Sequence, residues 1–211
     1  MANSDFYYGA YPAEYSNSLS GIFDMKMRNG NTTDFAHAVQ LGIWGFDLSS
    51  ERPINKKSGS SYLFNYRYSY SGLADKISGS DEGLNYQDLA FKINLPTKKM
   101  GTFTFWGIGL LDKIIQRPED DPKQWETSME RQEQKADFQK GAIGMAHTLS
   151  WNDNTYLRSN IGITFSGTKA ENHIYDNELN RIPVAFAKTS SKPKLQKREK
   201  YEWQGEIPTY V

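Results

Sequence analysis

The stretch Tyr62-Leu63-Phe64-Asn65-Tyr66-Arg67-Tyr68-Ser69-Tyr70 puts an aromatic ring at every even position and Leu, Asn, Arg or Ser at every odd one. A repeat of two is the repeat of a β-strand, because successive side chains leave opposite faces of the backbone. Three further runs share it. Leu89, Phe91, Ile93 and Leu95 alternate with Asp88, Ala90, Lys92 and Asn94. Ile143, Met145, His147, Leu149 and Trp151 alternate with Ala142, Gly144, Ala146, Thr148 and Ser150. Leu157, Ser159, Ile161, Ile163 and Phe165 alternate with Tyr156, Arg158, Asn160, Gly162 and Thr164. On the first-named faces only His147 and Ser159 are neither apolar nor aromatic, while the opposite faces are mostly small or polar. The runs predict an all-β, antiparallel meander with one greasy side.

Two stretches are less regular. Residues 35–48 pass from Val39, Leu41 and Ile43 to Phe46 and Leu48 across Gly42 and Gly45, which predicts one strand with a bulge. Residues 102–111 pass from Phe103 and Phe105 to Ile108 and Leu110 around Gly107, which predicts a similar slip. The connections differ in length. Residues 52–60 and 96–101 are compact, and Asn152-Asp153-Asn154 reads as a tight hairpin turn. Residues 74–84 and the densely charged 112–140 are long, the latter with a thin apolar stripe (Trp125, Met129, Ala136) that would suit a short helix. Short turns at one end and long loops at the other are the habit of transmembrane β-barrels. Runs of about 9–11 residues match a tilted membrane-crossing strand. Tyr62, Tyr70, Trp151 and Tyr156 fall near strand ends, where interfacial girdles sit. A soluble antiparallel sandwich produces the same alternation, so periodicity leaves both architectures open.

Composition narrows the function classes. The 211 residues carry 25 Lys+Arg against 25 Asp+Glu, and this balance argues against a nucleic-acid binder, whose affinity comes from counterion release by a basic excess. With no cysteine there is no disulfide, thiolate nucleophile or cysteine metal site. An aromatic share of 14% is too rich for a disordered chain. No run approaches the ~18 apolar residues of a transmembrane helix. The start, Met1-Ala-Asn-Ser-Asp-Phe-Tyr-Tyr, has neither the basic opening nor the apolar stretch of a secretory signal, which alone predicts a chain that is not exported.

Residues 6–31 carry a more specific pattern: Pro12-Ala13-Glu14-Tyr15, then Gly21-Ile22-Phe23-Asp24, then Arg28-Asn29-Gly30. Downstream come Gly45-Phe46-Asp47-Leu48-Ser49-Ser50-Glu51, Ser61-Tyr62-Leu63-Phe64-Asn65-Tyr66-Arg67-Tyr68-Ser69 and Thr102-Phe103-Thr104-Phe105-Trp106-Gly107-Ile108-Gly109. In this order the motifs resemble TonB-dependent outer-membrane receptors of the Bacteroidetes type, across residues 6–183. Ser16 and Arg52 depart from that pattern, which has glycine at both places. The resemblance implies a fragment: the C-terminal end of a plug domain (1–33), early barrel strands and loops (34–183) and an irregular basic tail (184–211) that belongs to no barrel strand. Six strands are legible, whereas such barrels have about 22. The signal peptide and the TonB-contacting box are not among these residues. The implied parent sits in the outer membrane and imports an unknown solute with energy from the TonB complex; its partners are lipid, TonB and solute, with no nucleic acid and no cofactor. In that setting residues 23–28 form a plug strand whose charged face meets the barrel wall, and Arg67, Asp88, Lys92, Arg158 and Asn160 line the lumen. A soluble all-β binding or adhesion domain is the alternative.

Catalysis finds no constellation here: there is no Gly-x-Ser-x-Gly, P-loop or dinucleotide fingerprint, and an enzyme is not expected. His37, His147 and His173 lack metal-ligand spacing. Glu119-Asp120-Asp121 could offer oxygens to Ca²⁺, though a solvated loop is the simpler reading. The Tyr/Arg run at 62–70 puts Arg67 on the face away from the rings, which counts against a base-stacking platform. No catalytic or metal residue is assigned, and the solute-binding residues are not legible.

Overall fold

The computed structural model describes residues 4–9, 20–70, 83–119, 121–152 and 155–203. The Pro12–Tyr15 motif, most of the 74–84 connection, Asp120, the turn residues Asp153 and Asn154, and 204–211 lie outside them. The described residues form two antiparallel sheets. β1 (Asp5–Tyr8) pairs with β2 (Gly21–Asp24). The main sheet holds eight strands in sequence order: β3 (Ala36–Gly42), β4 (Gly45–Asn55), β5 (Ser60–Tyr70), β6 (Gly83–Pro96), β7 (Thr102–Gln116), β8 (Gln132–Asn152), β9 (Thr155–Tyr175) and β10 (Arg181–Trp203). It is the expected all-β meander. It is open, with β3 and β10 as edges.

The register sorts the side chains as the alternation requires. One face carries the row Phe64, Phe91, Gly107, Ile143 and Ile163, and beside it Tyr62, Ile93, Phe105, Met145 and Ile161. The glycines in this band have partners: Phe91 lies over Gly107 and Phe165 over Gly141, each its cross-strand neighbour, where an added Cβ would overlap the ring. These ring-on-glycine pairs pin the register, since a slip by one residue would exchange the faces. His147, the polar exception, stacks on Phe103 at 4.4 Å, and its Nε2 donates to the Met100 carbonyl at 2.6 Å.

Several expectations are corrected. Gly42 and Gly45 bracket a two-residue turn, Ile43-Trp44, so 35–48 is a hairpin and not one bulged strand. Gly45 has φ +142°, a conformation costly for a side chain, and a Cβ would strike the Tyr68 carbonyl. The slip expected at Gly107 does not occur. β7 pairs without a break, so Ile108 and Leu110 lie with Trp106 on the otherwise polar face. The charged 112–140 region is about half strand: β7 runs to Gln116, β8 begins at Gln132, and the described residues of the 117–131 connection hold a single 3-10 turn, Pro122–Gln124. Ala136, expected in a helix, is inside β8. Residues 184–203, expected to be irregular, pair with β9 as part of a 23-residue strand, because backbone hydrogen bonding does not need the apolar alternation they lack. Tyr156 pairs with Ser150 on the polar face, off the expected girdle.

The strands outrun the apolar band. β8 and β9 have 21 residues each, ~70 Å at ~3.3 Å per residue. Their apolar positions occupy only the half near the short turns, about 10 residues, which at a ~45° tilt is a band ~25 Å tall. On the same face the other half reads Glu133, Lys135 and Asp137 on β8 and Lys169, Glu171 and His173 on β9.

There is little core. Among the described residues the buried apolar side chains are Ile22, Pro53 and Ala146. The total accessible surface is 15514 Å² for a 24.1 kDa chain, where a folded monomer of that mass exposes about 10,000 Å². Phe165 is 44% exposed, Ile143 51% and Trp151 58%.

Candidate functional site

The polar face is where side chains of different strands meet the N-terminal segment. Asp47, Arg67 and Asp88 share one row across β4, β5 and β6. Arg67 Nε donates to Asp88 at 2.7 Å, and its guanidinium lies 5.7 Å from the Tyr86 ring centre. Asn65 Nδ2 donates to Asp47 at 3.0 Å. Toward the short turns follow Lys92, then Asn94 bonded to Thr104 at 3.2 Å, then Asn160 opposite Ala146 and Arg158 opposite Thr148. All five residues expected to share a face, Arg67, Asp88, Lys92, Arg158 and Asn160, do share it. Trp106 fills the middle by lying across Gly144, its cross-strand partner.

Residues 25–31, which join the small sheet to the main one, rest on this face. Arg28 donates from both terminal nitrogens to Glu51, one bond at 2.9 Å, and the backbone N–H of Asn31 donates to the same carboxylate at 3.0 Å. Lys92 Nζ donates to the Met27 carbonyl. Gly30 is buried against the Tyr62 backbone, too close for any Cβ. A forked guanidinium on a carboxylate fixes both position and direction, which a single point charge does not. The β1–β2 pair hangs from this attachment, tied by Lys26 to Asp5 at 2.7 Å. The expected strand over 23–28 is only half formed: β2 stops at Asp24, so Met25 and Met27 belong to an extended lead-in, not a ladder. The Arg28–Glu51 pairing has no signature in the sequence. The two residues lie in different motifs, and only the chain path joins them.

At the opposite end of the strands two polar clusters organise the loops. Glu133 is buried beside Lys135 (2.8 Å) and Arg181 (2.8 Å), with His173 at 3.9 Å. Burial pushes its carboxyl up, but the Lys135 hydrogen bond and the charges of Lys135, Arg181 and His173 outweigh this and hold it below the ordinary carboxylate value. In the 176–180 turn, the Asp176 carboxylate accepts from the backbone N–H groups of Glu178 (2.9 Å) and Asn180 (2.8 Å), and those of Asn180 first of all lower its pKa. Of the residues expected as possible cation ligands, Asp121 caps the Pro122–Gln124 turn with its carboxylate, while Glu119 accepts from Trp125 Nε1 at 2.9 Å through its backbone carbonyl and not its carboxylate. The three histidines stand on β3, β8 and β9, and among the described residues no three His, Asp or Glu side chains come together as metal ligands.

Comparisons with protein-family models, with curated proteins and with solved structures found no match to this chain. What it does is therefore argued from its own residues.

Proposed function

We propose that the chain is a wall segment of a TonB-dependent outer-membrane receptor, with the end of the plug at its N-terminus, serving the uptake of a solute across the outer membrane. The observation that carries this reading is the uncovered apolar band: a continuous face of Phe, Ile, Leu and Tyr, ~25 Å tall, flanked by charge at the long-loop end and backed by a polar face. A surface about half as large again as a compact monomer needs would be unfavourable in water and is natural against lipid. The two open edges leave room for the other strands of a larger barrel. Seating of residues 25–31 on the polar face suits a plug held against a barrel wall, and the motif order supports the TonB-dependent type. The parent's partners would then be lipid, the TonB complex and the solute.

Spin labelling tests the reading directly, because a chain without cysteine gives each introduced cysteine a unique label. In the parent receptor, assembled in lipid vesicles, labels at Phe64→Cys and Ile161→Cys should be open to oxygen and closed to a polar nickel chelate. Labels at Asn65→Cys and Thr164→Cys should show the reverse. Four labels shielded from both reagents would point to a soluble sandwich and sink the proposal.

A further inference from the structure

We propose that the short-turn end of the sheet docks on the anionic headgroups of phospholipids through Lys56, Lys57, Lys98 and Lys99. Resting on the receptor reading, this names the class of lipid that the apolar band meets at that end.

The four lysines stand in two neighbouring turns. Residues 56–59 join β4 to β5, and residues 97–101 join β6 to β7. β5 and β6 are paired, with Ser61 opposite Asn94, so the two turns leave the sheet side by side. Neither turn contains Asp or Glu. The three turns at that end, 56–59, 97–101 and 153–154, hold these four lysines against one acid, Asp153. At the long-loop end, by contrast, charges meet in opposite pairs, Lys135 with Glu133 at 2.8 Å and Lys169 with Glu171 at 2.9 Å.

The turns do not need their lysines. In the first, Asn55 Oδ1 accepts from the Lys57 N–H at 2.9 Å, and Gly59 takes φ +71°. In the second, Thr97 Oγ1 accepts from the Met100 N–H at 3.0 Å and donates to the Gly101 carbonyl at 2.7 Å, with Gly101 at φ +74°. The four ammonium groups are exposed and have no hydrogen-bond or ionic partner among the described residues. Like charges gathered in this way repel one another, and an anionic surface relieves the repulsion.

The apolar band runs up to these turns. Leu95 pairs with Phe103 just inside the second turn, and Met100 within it is exposed. A lysine at such a margin lays its methylenes along acyl chains and carries its ammonium to the level of the phosphates. Arg52 points to the same partner. It pairs with Tyr62 on the outward face, within the band, exposed and without an ionic partner. A guanidinium there is costly in hydrocarbon unless it reaches a phosphate. Cations adjoining an apolar margin fit a surface that is anionic at its headgroups and apolar beneath, which neither a nucleic acid nor an acidic protein offers.

The test uses the parent receptor in phosphatidylcholine vesicles, with a fluorophore on Met100→Cys. A nitroxide quencher is carried high on the acyl chain of either phosphatidylglycerol or phosphatidylcholine, at the same low fraction. The phosphatidylglycerol quencher should act at least about three times more strongly. The ratio should fall to one in about 1 M salt, where screening acts within ~3 Å. Lys56→Gln, Lys57→Gln, Lys98→Gln and Lys99→Gln together should also bring it to one, and the four corresponding arginine substitutions should keep it. A ratio of one in the unaltered receptor, a ratio that survives the four glutamines, or its loss in the arginine variant overturns the proposal. The label accessibilities at 64, 65, 161 and 164, measured in the same vesicles, separate its failure from failure of the receptor reading: alternating labels with a ratio of one reject the docking alone.

Discussion

Gly45 shows how one residue decides the path of the chain. Its φ of +142° and the backbone of Tyr68 beneath it leave no space for a methyl group, so the turn between β3 and β4 exists because this position has no side chain. Gly45→Ala should cost about 1–3 kcal/mol, read as a lower denaturation midpoint of the refolded chain, and Gly42→Ala much less, since it meets only van der Waals contacts. Equal costs at the two glycines would mean that the turn is built differently. Arg28 and Glu51 act at the same scale. Each deletion should speed protease cleavage at residues 20–31, and the double variant should be no faster than Glu51→Ala alone if the fork on Glu51 is what holds the segment.

At the scale of the strand, the two faces should respond oppositely to the same change. In the assembled barrel Phe64→Arg should cost ~2–4 kcal/mol near the bilayer midplane, while Asn65→Arg, on the neighbouring position facing away, should be mild. Equal costs would count against a lipid-facing band. Beyond the band the strand ends depend on charge. The Glu133 carboxyl is held below its unfolded value of ~4.3, so its contribution is present above that pH and is lost as pH falls through the lower folded value. Amide protection around Gln132, Gln134 and Ile174 should fall only below about pH 4.3, and Glu133→Gln should remove that part of the acid response. A decline already under way between pH 6 and 8 would assign it to another group.

For the whole molecule, closure is the decisive question. The edges are β3, with 7 residues, and β10, with 23, so pairing them would leave most of β10 unmatched. Open edges are not tolerated in lipid, and the refolded chain alone should show no heat-modifiable migration of the kind closed barrels give. A heat-modifiable band would show that it closes by itself. The sequence alone determined the strand class, the meander and the sorting of faces, because alternation is a local property and each of the four regular runs carries it unbroken. That rule by itself puts Arg67, Asp88, Lys92, Arg158 and Asn160 on one face, where the strand register also has them. Only the tertiary structure decided the rest. Whether Gly42 and Gly45 mark a bulge or a turn depended on Tyr68 packing beneath Gly45; Ile108 and Leu110 took the polar face because unbroken pairing on both sides of β7 outweighed their hydrophobicity. Charge hid strand structure in 132–140, the far end of a long strand, and in 184–203, which pairs along β9 without an apolar alternation of its own. The Arg28–Glu51 fork was beyond any sequence pattern, because it joins residues that only the course of the backbone brings together.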